Sequence, residues 1–264
     1  MTSVPIHDGT LNVIERGSGT PLLLVHGFPL DHSMWQGQID VLSRDCHVIA
    51  PDLRGFGAST VTPGLVTMQR MADDLAELLA AMKITKPVVL CGLSMGGYVA
   101  WQFFLRHRQR LEKLILCDTK AVADSDEAAE NRNTMATRVL REGPAFIAEA
   151  MLPKLFAPTA LEPKARYVER TREIIQKTAP NGIAAALRGM AQRLDMTDKL
   201  GKIDVPALVL CGEHDAISPK DEMQEIAQKL PQAKFVLIRG AGHMAPLEKP
   251  EEVNKAIREF LASS

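Results

Sequence analysis

The chain has 264 residues, of which 46% are hydrophobic, and this length suits one α/β domain with an insertion or at most two small domains. Its 31 basic and 32 acidic side chains give a formal net charge of -1, so no overall field favours nucleic acid or an anionic membrane. The first residues carry neither a charged leader nor an apolar stretch of signal-peptide length, and no segment is long enough to span a bilayer. We therefore expect a cytoplasmic protein without nucleic-acid or membrane partners.

The first strands are predicted from short extended or apolar runs. Ser3 to His7 and Thr10 to Arg16 flank Asp8-Gly9, a strong signal for a β-hairpin, so the sheet should open antiparallel. The continuous apolar runs Pro21 to Val25 and Cys46 to Ala50 are typical of strands that are covered on both faces.

Helices and strands then alternate. Trp35 to Leu42 has helical apolar spacing, and Met68 to Met82 reads as a helix that Thr67 can cap. Pro87 to Leu90 and Leu111 to Cys117 are the next strands. This alternation predicts an α/β fold with a mostly parallel, eight-stranded sheet and helices on both faces, whose ligands bind at the carboxyl ends of the strands.

From about Ala121 to Arg193 no strand-like run interrupts a series of helical segments. Predicted helices cover Asp126 to Arg141 and Pro163 to Thr178, with another between them and a fourth after Asn181. This pattern predicts a helical cap, residues 121–193, inserted into a core formed by residues 1–120 and 194–264. The core resumes with strands and helices in alternation: Val205 to Cys211, Lys220 to Leu230, Lys234 to Ile238 and Glu251 to Leu261.

The four cysteines, Cys46, Cys91, Cys117 and Cys211, lie in or beside predicted strands and lack the spacing of a metal site. We expect them to be small buried hydrophobic residues, with no disulfide framework and no metal.

A candidate nucleophile lies at Ser94, in the G-x-S-x-G segment from Gly92 to Gly96. A strand precedes this segment and a helix follows it, which is the arrangement of a nucleophile elbow. In such a turn a strained backbone lifts the serine Oγ clear of the sheet, and glycines are required where a Cβ would clash.

A serine hydroxyl needs a base, and the base needs an acid that holds its tautomer. Asp215 follows the predicted strand that ends at Cys211, and His243 follows the strand that ends at Ile238. The chain order Ser94, Asp215, His243 is the order of a hydrolase triad of this kind.

The chain resembles the α/β-hydrolase superfamily over essentially its full length, most closely the small capped carboxylesterases and enol-lactonase-like members. The resemblance rests on five segments: His26-Gly27-Phe28-Pro29, Pro51 to Ser59, Gly92 to Gly97, Gly212-Glu213-His214-Asp215 and Gly240-Ala241-Gly242-His243. It implies acyl transfer through Ser94, with His243 as the base and Asp215 as the orienting acid.

The resemblance also implies an oxyanion hole made by the backbone N–H groups of Phe28 and Met95. Trp35 and Met95 are candidate pocket walls because their positions are tied to the two oxyanion loops. Phe146 and Met151 of the cap, together with Met244, are further candidates for the substrate pocket.

The expected activity is cofactor-independent hydrolysis of small or medium carboxylic esters. The alternatives with the same triad are enol-lactone, carbon-carbon or peracid chemistry, and a ligand receptor is the alternative without catalysis. Asp118 is the rival for the acid, because it also follows a strand. His26 is expected to be structural.

Three cap arginines, Arg138, Arg188 and Arg193, are candidates for contact with a substrate carboxylate, which would favour the lactonase alternative. Each of them could equally be a solvated surface residue. The expected partner is in every case a small-molecule ester or lactone.

Overall fold

The computed structural model describes residues 1–161 and 165–263. Its centre is a sheet of eight strands in the order β1-β2-β4-β3-β5-β6-β7-β8. The strands are β1 Thr2–Ile6, β2 Gly9–Arg16, β3 Thr20–Val25, β4 Cys46–Pro51, β5 Val88–Leu93, β6 Leu111–Cys117, β7 Ala207–Gly212 and β8 Ala233–Ile238.

The first two strands make the predicted hairpin, and β2 also pairs antiparallel with β4. All other pairs are parallel, which confirms the prediction of a mostly parallel sheet. Strands β5 and β7 are buried along their whole length, as expected for apolar runs covered on both faces.

Helices from the core pack beside this sheet. The core helices are α1 Gln36–Leu42, α2 Met68–Ala81, α3 Met95–His107, α9 Lys220–Lys229, α10 Ala245–Glu248 and α11 Pro250–Ala262. Helix α1 packs against α11, and α2 packs against α3. Thr67 caps α2 as predicted, because its side chain accepts a hydrogen bond from the N–H of Arg70.

A helical insert separates β6 from β7, as the sequence predicts. The helices of the insert are α4 Asp126–Glu142, α5 Ala145–Leu155, α6 Pro158–Leu161, α7 Arg166–Lys177 and α8 Pro180–Ala191. Helix α4 packs against α8, and α5 packs against α7. The predicted third helix began at Pro163, which lies outside the described residues, and α6 is a short helix that the pattern did not indicate.

One continuous cluster of buried apolar side chains includes residues of both the sheet and the insert. The four cysteines are buried and free, in agreement with the prediction. Across residues 1–161 and 165–263, no helix is both long and apolar enough to cross a membrane.

Candidate active site

Ser94 lies at the sharp turn between β5 and α3. Its φ of 54° and ψ of -113° place it in a region that non-glycine residues rarely adopt. Two hydrogen bonds hold this backbone: the N–H of Ser94 donates to the carbonyl oxygen of Cys117 at 3.0 Å, and Thr119 Oγ1 donates to that of Ser94 at 2.8 Å. The end of β6 therefore supports the strained turn that the G-x-S-x-G spacing predicted.

The glycines around Ser94 are required by close backbone packing. A Cβ added to Gly92 would overlap the carbonyl of Gly96, and one added to Gly96 would overlap the carbonyl of Val25 at the end of β3. The spacing of glycines in the segment is thus explained by contacts with backbone atoms, which cannot move aside as a flexible side chain can.

His243 and Asp215 meet at the carboxyl end of the sheet. His243 Nδ1 lies 2.9 Å from Asp215 Oδ2 and 3.0 Å from Oδ1, and both side chains are buried. The N–H groups of Ile217 and Ser218 also donate to Asp215 Oδ1, at 2.7 and 2.9 Å. Burial alone would raise the pKa of Asp215, but the charge of His243 and these hydrogen bonds lower it, so Asp215 is held as a carboxylate.

Asp118, the rival for the acid, makes no hydrogen bond with His243 among the described residues. Its Oδ1 accepts a hydrogen bond from the N–H of Gly212 at 2.7 Å, and its side chain is fully buried beside Asp215. The hydrogen bonds therefore favour Asp215 as the partner of His243.

Ser94 and His243 open into the same cavity, which holds about 190 Å³ and is therefore suited to a small ligand. Its walls combine residues of the core with residues of the insert. The lining residues are Phe28, Ser94, Tyr98, Arg132, Met135, Met151, Leu187, Met190, Ile217 and His243.

The loop with Phe28 passes directly beside Ser94. A Cβ added to Gly27 would lie 3.5 Å from the Cβ of Ser94, and Phe28 itself lines the cavity. Met95 is the first residue of α3, so its N–H has no acceptor within the helix. Both predicted oxyanion residues therefore adjoin the candidate nucleophile.

Only one of the four residues Trp35, Phe146, Met151 and Met244, predicted to form the substrate pocket, lines the described cavity. Met151 lines the cavity, whereas Trp35, Phe146 and Met244 are not among its lining residues. Trp35 and Met244 are completely buried, and the ring of Phe146 packs against the guanidinium of Arg138 at 4.0 Å.

The three arginines that the sequence suggested for a substrate carboxylate all have other partners. Arg138 Nε donates to Glu142 Oε2 at 2.6 Å, and Arg188 Nη1 donates to the carbonyl of Gly64 at 2.9 Å. Arg193 donates to the carbonyl of Val122 and stacks on the ring of Tyr98 at 4.5 Å. None of the three belongs to the residues that line the described cavity.

The arginine that does line the cavity is Arg132, on α4, which the sequence analysis missed. Its Nε donates to Asp124 Oδ2 at 2.5 Å, and the same carboxylate forms an ion pair with Arg193. Two guanidinium groups thus share one carboxylate, which leaves a net positive charge beside the cavity. Arg132 is one of three arginines on α4, with Arg138 and Arg141, and nothing in the sequence distinguished it from the other two.

His26 connects two loops at this edge of the sheet. Its Nδ1 bonds to the carbonyl of Gly27 at 2.9 Å, and its Nε2 accepts a hydrogen bond from the N–H of Leu53, also at 2.9 Å. Burial lowers the pKa of His26, which favours the neutral ring that this pattern requires. These contacts agree with the structural role expected for His26.

Among the described residues, two clusters each bring three potential metal ligands together, with ligand atoms within 4.8 Å of one another. In one cluster His32 Nδ1 already bonds to Asp52 Oδ1 at 2.6 Å. In the other, Cys211 adjoins Asp118 and Asp215, and burial raises the pKa of its thiol, which opposes the thiolate form that metals bind. We therefore interpret both clusters as internally bonded groups.

The comparison with protein families agrees with this geometry. Residues 20–250 match the model of the alpha/beta hydrolase fold family, and the chain belongs to that family. The resemblance drawn from the sequence motifs is confirmed.

Several relatives are similar along nearly the whole chain. A thermophilic esterase from Thermogutta terrifontis, solved with malate bound, is 49% identical with a TM-score of 0.96, over 98% of this chain and 97% of that one. The enol-lactonase from Burkholderia xenovorans is 28% identical with a TM-score of 0.92, over 99% and 100%. The (E)-2-((N-methylformamido)methylene)succinate hydrolase of Acinetobacter baylyi is 28% identical, over 97% of this chain and 95% of that protein. The chain is therefore similar to hydrolases of esters and of other small molecules.

Proposed function

We propose that the protein is a serine hydrolase that cleaves small or medium carboxylic esters, with Ser94, His243 and Asp215 as its catalytic triad. The observation that carries the proposal is that Ser94, at the strained turn, lines the same cavity as His243. The Nδ1 atom of His243 bonds in turn to the carboxylate of Asp215. The likeness to an esterase that is 49% identical supports the same activity.

In the proposed mechanism, His243 accepts the proton of Ser94 as Oγ attacks the ester carbonyl carbon. The carbonyl oxygen becomes an oxyanion, for which the N–H groups of Phe28 and Met95 are the proposed donors, each contributing about 3 kcal/mol in the transition state. His243 then protonates the departing alcohol, and a water molecule hydrolyses the acyl-enzyme by the same route. Asp215 holds the imidazole tautomer and stabilises its charge throughout.

The insert is proposed to act as a cap, with the predicted boundaries of 121–193 between core segments 1–120 and 194–264. Met135, Met151, Leu187 and Met190 of the insert line the cavity, which supports this role. Because the cavity is small and mostly apolar, we expect short acyl groups to be preferred.

Hydrolysis of p-nitrophenyl esters of increasing acyl length tests the proposal. Ser94→Ala should lower kcat by a factor on the order of 10⁶. The control is Ser3→Ala, a substitution at an exposed serine of β1 that should leave kcat unchanged. Undiminished activity in Ser94→Ala would contradict the assignment.

Labelling with a fluorophosphonate distinguishes an enzyme from a ligand receptor on the same fold. A reactive triad should give an adduct on Ser94 that is detected by mass spectrometry of the digested protein, and Ser94→Ala should give none. An unlabelled wild-type protein would favour binding without turnover.

A second candidate function, hydrolysis of lactones or esters that carry a carboxylate, is favoured by Arg132. The net positive charge that Arg132 and Arg193 leave beside Asp124 would attract an anionic group of the substrate. The malate bound to the Thermogutta esterase and the enol-lactonase activity of another relative are consistent with such a substrate.

Comparing neutral esters with half-esters of dicarboxylic acids of the same length tests this preference. Arg132→Gln should lower kcat/KM for the half-esters roughly 10- to 100-fold, on the scale of one lost charge-assisted hydrogen bond, and leave the neutral esters little changed. Arg138→Gln, on the same helix but away from the cavity, is the matched control. Equal losses for both substrate types would contradict a role in charge recognition.

A further inference from the structure

Asp118 is a buried carboxyl group that the proposed mechanism does not use. It follows the last residue of β6, has a φ of 46° and is completely inaccessible to solvent. Its Oδ1 accepts a hydrogen bond from the N–H of Gly212, whereas Oδ2 meets no donor among the described residues. In the ionised form, which can only accept hydrogen bonds, this carboxyl group therefore has one oxygen without a hydrogen-bond partner among the described residues.

The surroundings of Asp118 oppose a negative charge. The titratable groups that face it are Cys117 at the end of β6, Cys211 on β7 and Asp215 in the loop after β7. All three are acids, and the imidazole of His243 bonds to Asp215. In the described part of the chain no lysine or arginine forms an ion pair with Asp118. An uncompensated buried carboxylate is far more costly than the neutral acid.

A side-chain oxygen of Asp118 lies within 4.8 Å of a side-chain oxygen of Asp215. Two neighbouring carboxyl groups commonly share one proton, because like charges at this distance cannot both ionise at low cost. Asp215 has His243 and two backbone N–H groups to stabilise its charge, whereas Asp118 has only the N–H of Gly212. Burial, and then the charge of Asp215, raise the pKa of Asp118 well above its ordinary range, which agrees with a proton on Asp118 and a negative charge on Asp215.

We propose that Asp118 is held as the neutral acid and that its carboxyl O–H donates a hydrogen bond to the carboxylate of Asp215. This hydrogen bond uses the oxygen of Asp118 that otherwise lacks a partner. It makes Asp118 a positioning residue that acts on His243 through Asp215. The inference rests on the proposed triad for its kinetic consequence, although the protonation state itself is independent of any activity.

The proposed donor weakens the attraction between Asp215 and the protonated form of His243, because it draws charge away from the carboxylate. His243 must be neutral to accept the proton of Ser94, so kcat/KM falls on the acid side of the pH profile. Loss of the donor should therefore move the acid limb to higher pH.

Two substitutions of Asp118 distinguish a neutral hydrogen-bond donor from a negatively charged carboxylate at this position. Asp118→Asn can still accept from Gly212 and donate to Asp215, and asparagine tolerates a positive φ. Its acid limb should stay at the wild-type position, whereas Asp118→Ala should move the limb up by about one pH unit, the scale of one hydrogen bond to a charged group.

Two positions of the acid limb would contradict the proposal. An acid limb that moves to lower pH in Asp118→Asn would show that a negative charge had been removed, and this would overturn the neutral state. Limbs at the wild-type position in both variants would overturn the positioning role.

Infrared difference spectroscopy on the full-length protein, labelled with [¹³C]aspartate, tests the protonation state without reference to activity. The wild-type protein at neutral pH should show the carbonyl band of a protonated aspartic acid, and Asp118→Asn should lack it. Aspartate labelling excludes Glu248, another carboxyl whose pKa is raised by burial. Asp204→Asn, at a solvent-exposed carboxyl paired with Arg108, is the matched control and should keep the band.

A wild-type protein without the band would overturn the proposal even if the esterase activity is present. Conversely, activity that survives in Ser94→Ala would refute the proposed function and leave the infrared result as the test of the carboxyl pair. The measurement on the wild-type protein remains decisive if Asp118→Ala does not fold.

Discussion

His243 bonds to the carboxylate of Asp215, which is itself held in place by its surroundings. Asp215 accepts hydrogen bonds from two backbone N–H groups of its own loop as well as from His243. The loop therefore fixes the carboxylate before any substrate is bound. A base held by a fixed acid is what nucleophilic catalysis by a serine requires.

Asp215→Asn should lower kcat by a factor on the order of 10⁴, because an amide favours the wrong imidazole tautomer and cannot stabilise the imidazolium. The asparagine oxygen can keep the two backbone hydrogen bonds, so circular dichroism should show an unchanged fold. The rate is measured with the best p-nitrophenyl ester. A loss of less than tenfold would indicate that another acid, with Asp118 the first candidate, can act in place of Asp215.

At the scale of elements, an ion pair joins the loop after β3 to the end of β4. His32 Nδ1 and the N–H of His32 both bond to Asp52 Oδ1, at 2.6 and 2.9 Å. Burial would raise the pKa of Asp52, but His32 and the N–H of Ala58 outweigh it and lower that pKa to about 2. Burial would likewise lower the pKa of His32, and Asp52 outweighs it, so the pKa of His32 is raised.

The stability that this pair contributes should depend on pH in a defined window. The contribution of Asp52 is present above its ordinary pKa of 3.8 and is lost as the pH falls toward 2. The contribution of His32 is present below its ordinary pKa of 6.5 and is lost as the pH rises through its raised value. The pair therefore stabilises most between these two ordinary values.

His32→Gln should remove this pH dependence on the alkaline side. Urea unfolding measures the free energy of unfolding at pH 6 and at pH 8.5. Its decrease between these two pH values should be smaller in the variant than in the wild type, by on the order of 1 kcal/mol. The exposed residue His7 provides the control His7→Gln. Identical losses in His32→Gln and the wild type would contradict the role of the pair.

At the scale of the whole molecule, backbone contacts join the insert to the core. Gly182 of α8 packs so closely against Gly55 that an added Cβ would overlap its carbonyl oxygen, and the N–H of Val66 donates to the carbonyl of Ala185. Glu248 makes a second connection, because its carboxylate accepts hydrogen bonds from the N–H groups of Ala157 and Gly242. The insert is thus held at both the Gly55 loop and the loop that carries His243.

Gly182→Ala should destabilise the entire chain, since the obstacle is backbone that the core holds in place. Overpacking of this kind costs about 1–3 kcal/mol, which corresponds to a fall in Tm of roughly 3–10 °C for a chain of this size. Differential scanning calorimetry measures the effect. At Gly201 the nearest atom to an added Cβ is 4.0 Å away, so Gly201→Ala should change Tm little. Similar Tm values for both variants would contradict the proposed close contact.

The order of the elements and the candidate nucleophile could both be predicted from local patterns in the chain. Continuous apolar runs predicted buried strands such as β5, and the glycines around Ser94 predicted a sharp turn, because both depend on interactions that are local in the chain. The loops after parallel strands meet at one edge of the sheet for topological reasons, so Asp215 and His243 could also be selected from the sequence.

Which residues of each loop and of the insert face the cavity depends on how distant parts of the chain pack together. Trp35 is near the Phe28 loop in sequence, yet it is completely buried, whereas Arg132 lines the cavity and the three candidate arginines do not. Helical periodicity identifies an apolar face but does not say which neighbour covers it. The hydrogen bond of His243 to Asp215, and the burial of Asp118 near Asp215, likewise arise from contacts between residues that are far apart in the chain, which no local pattern encodes.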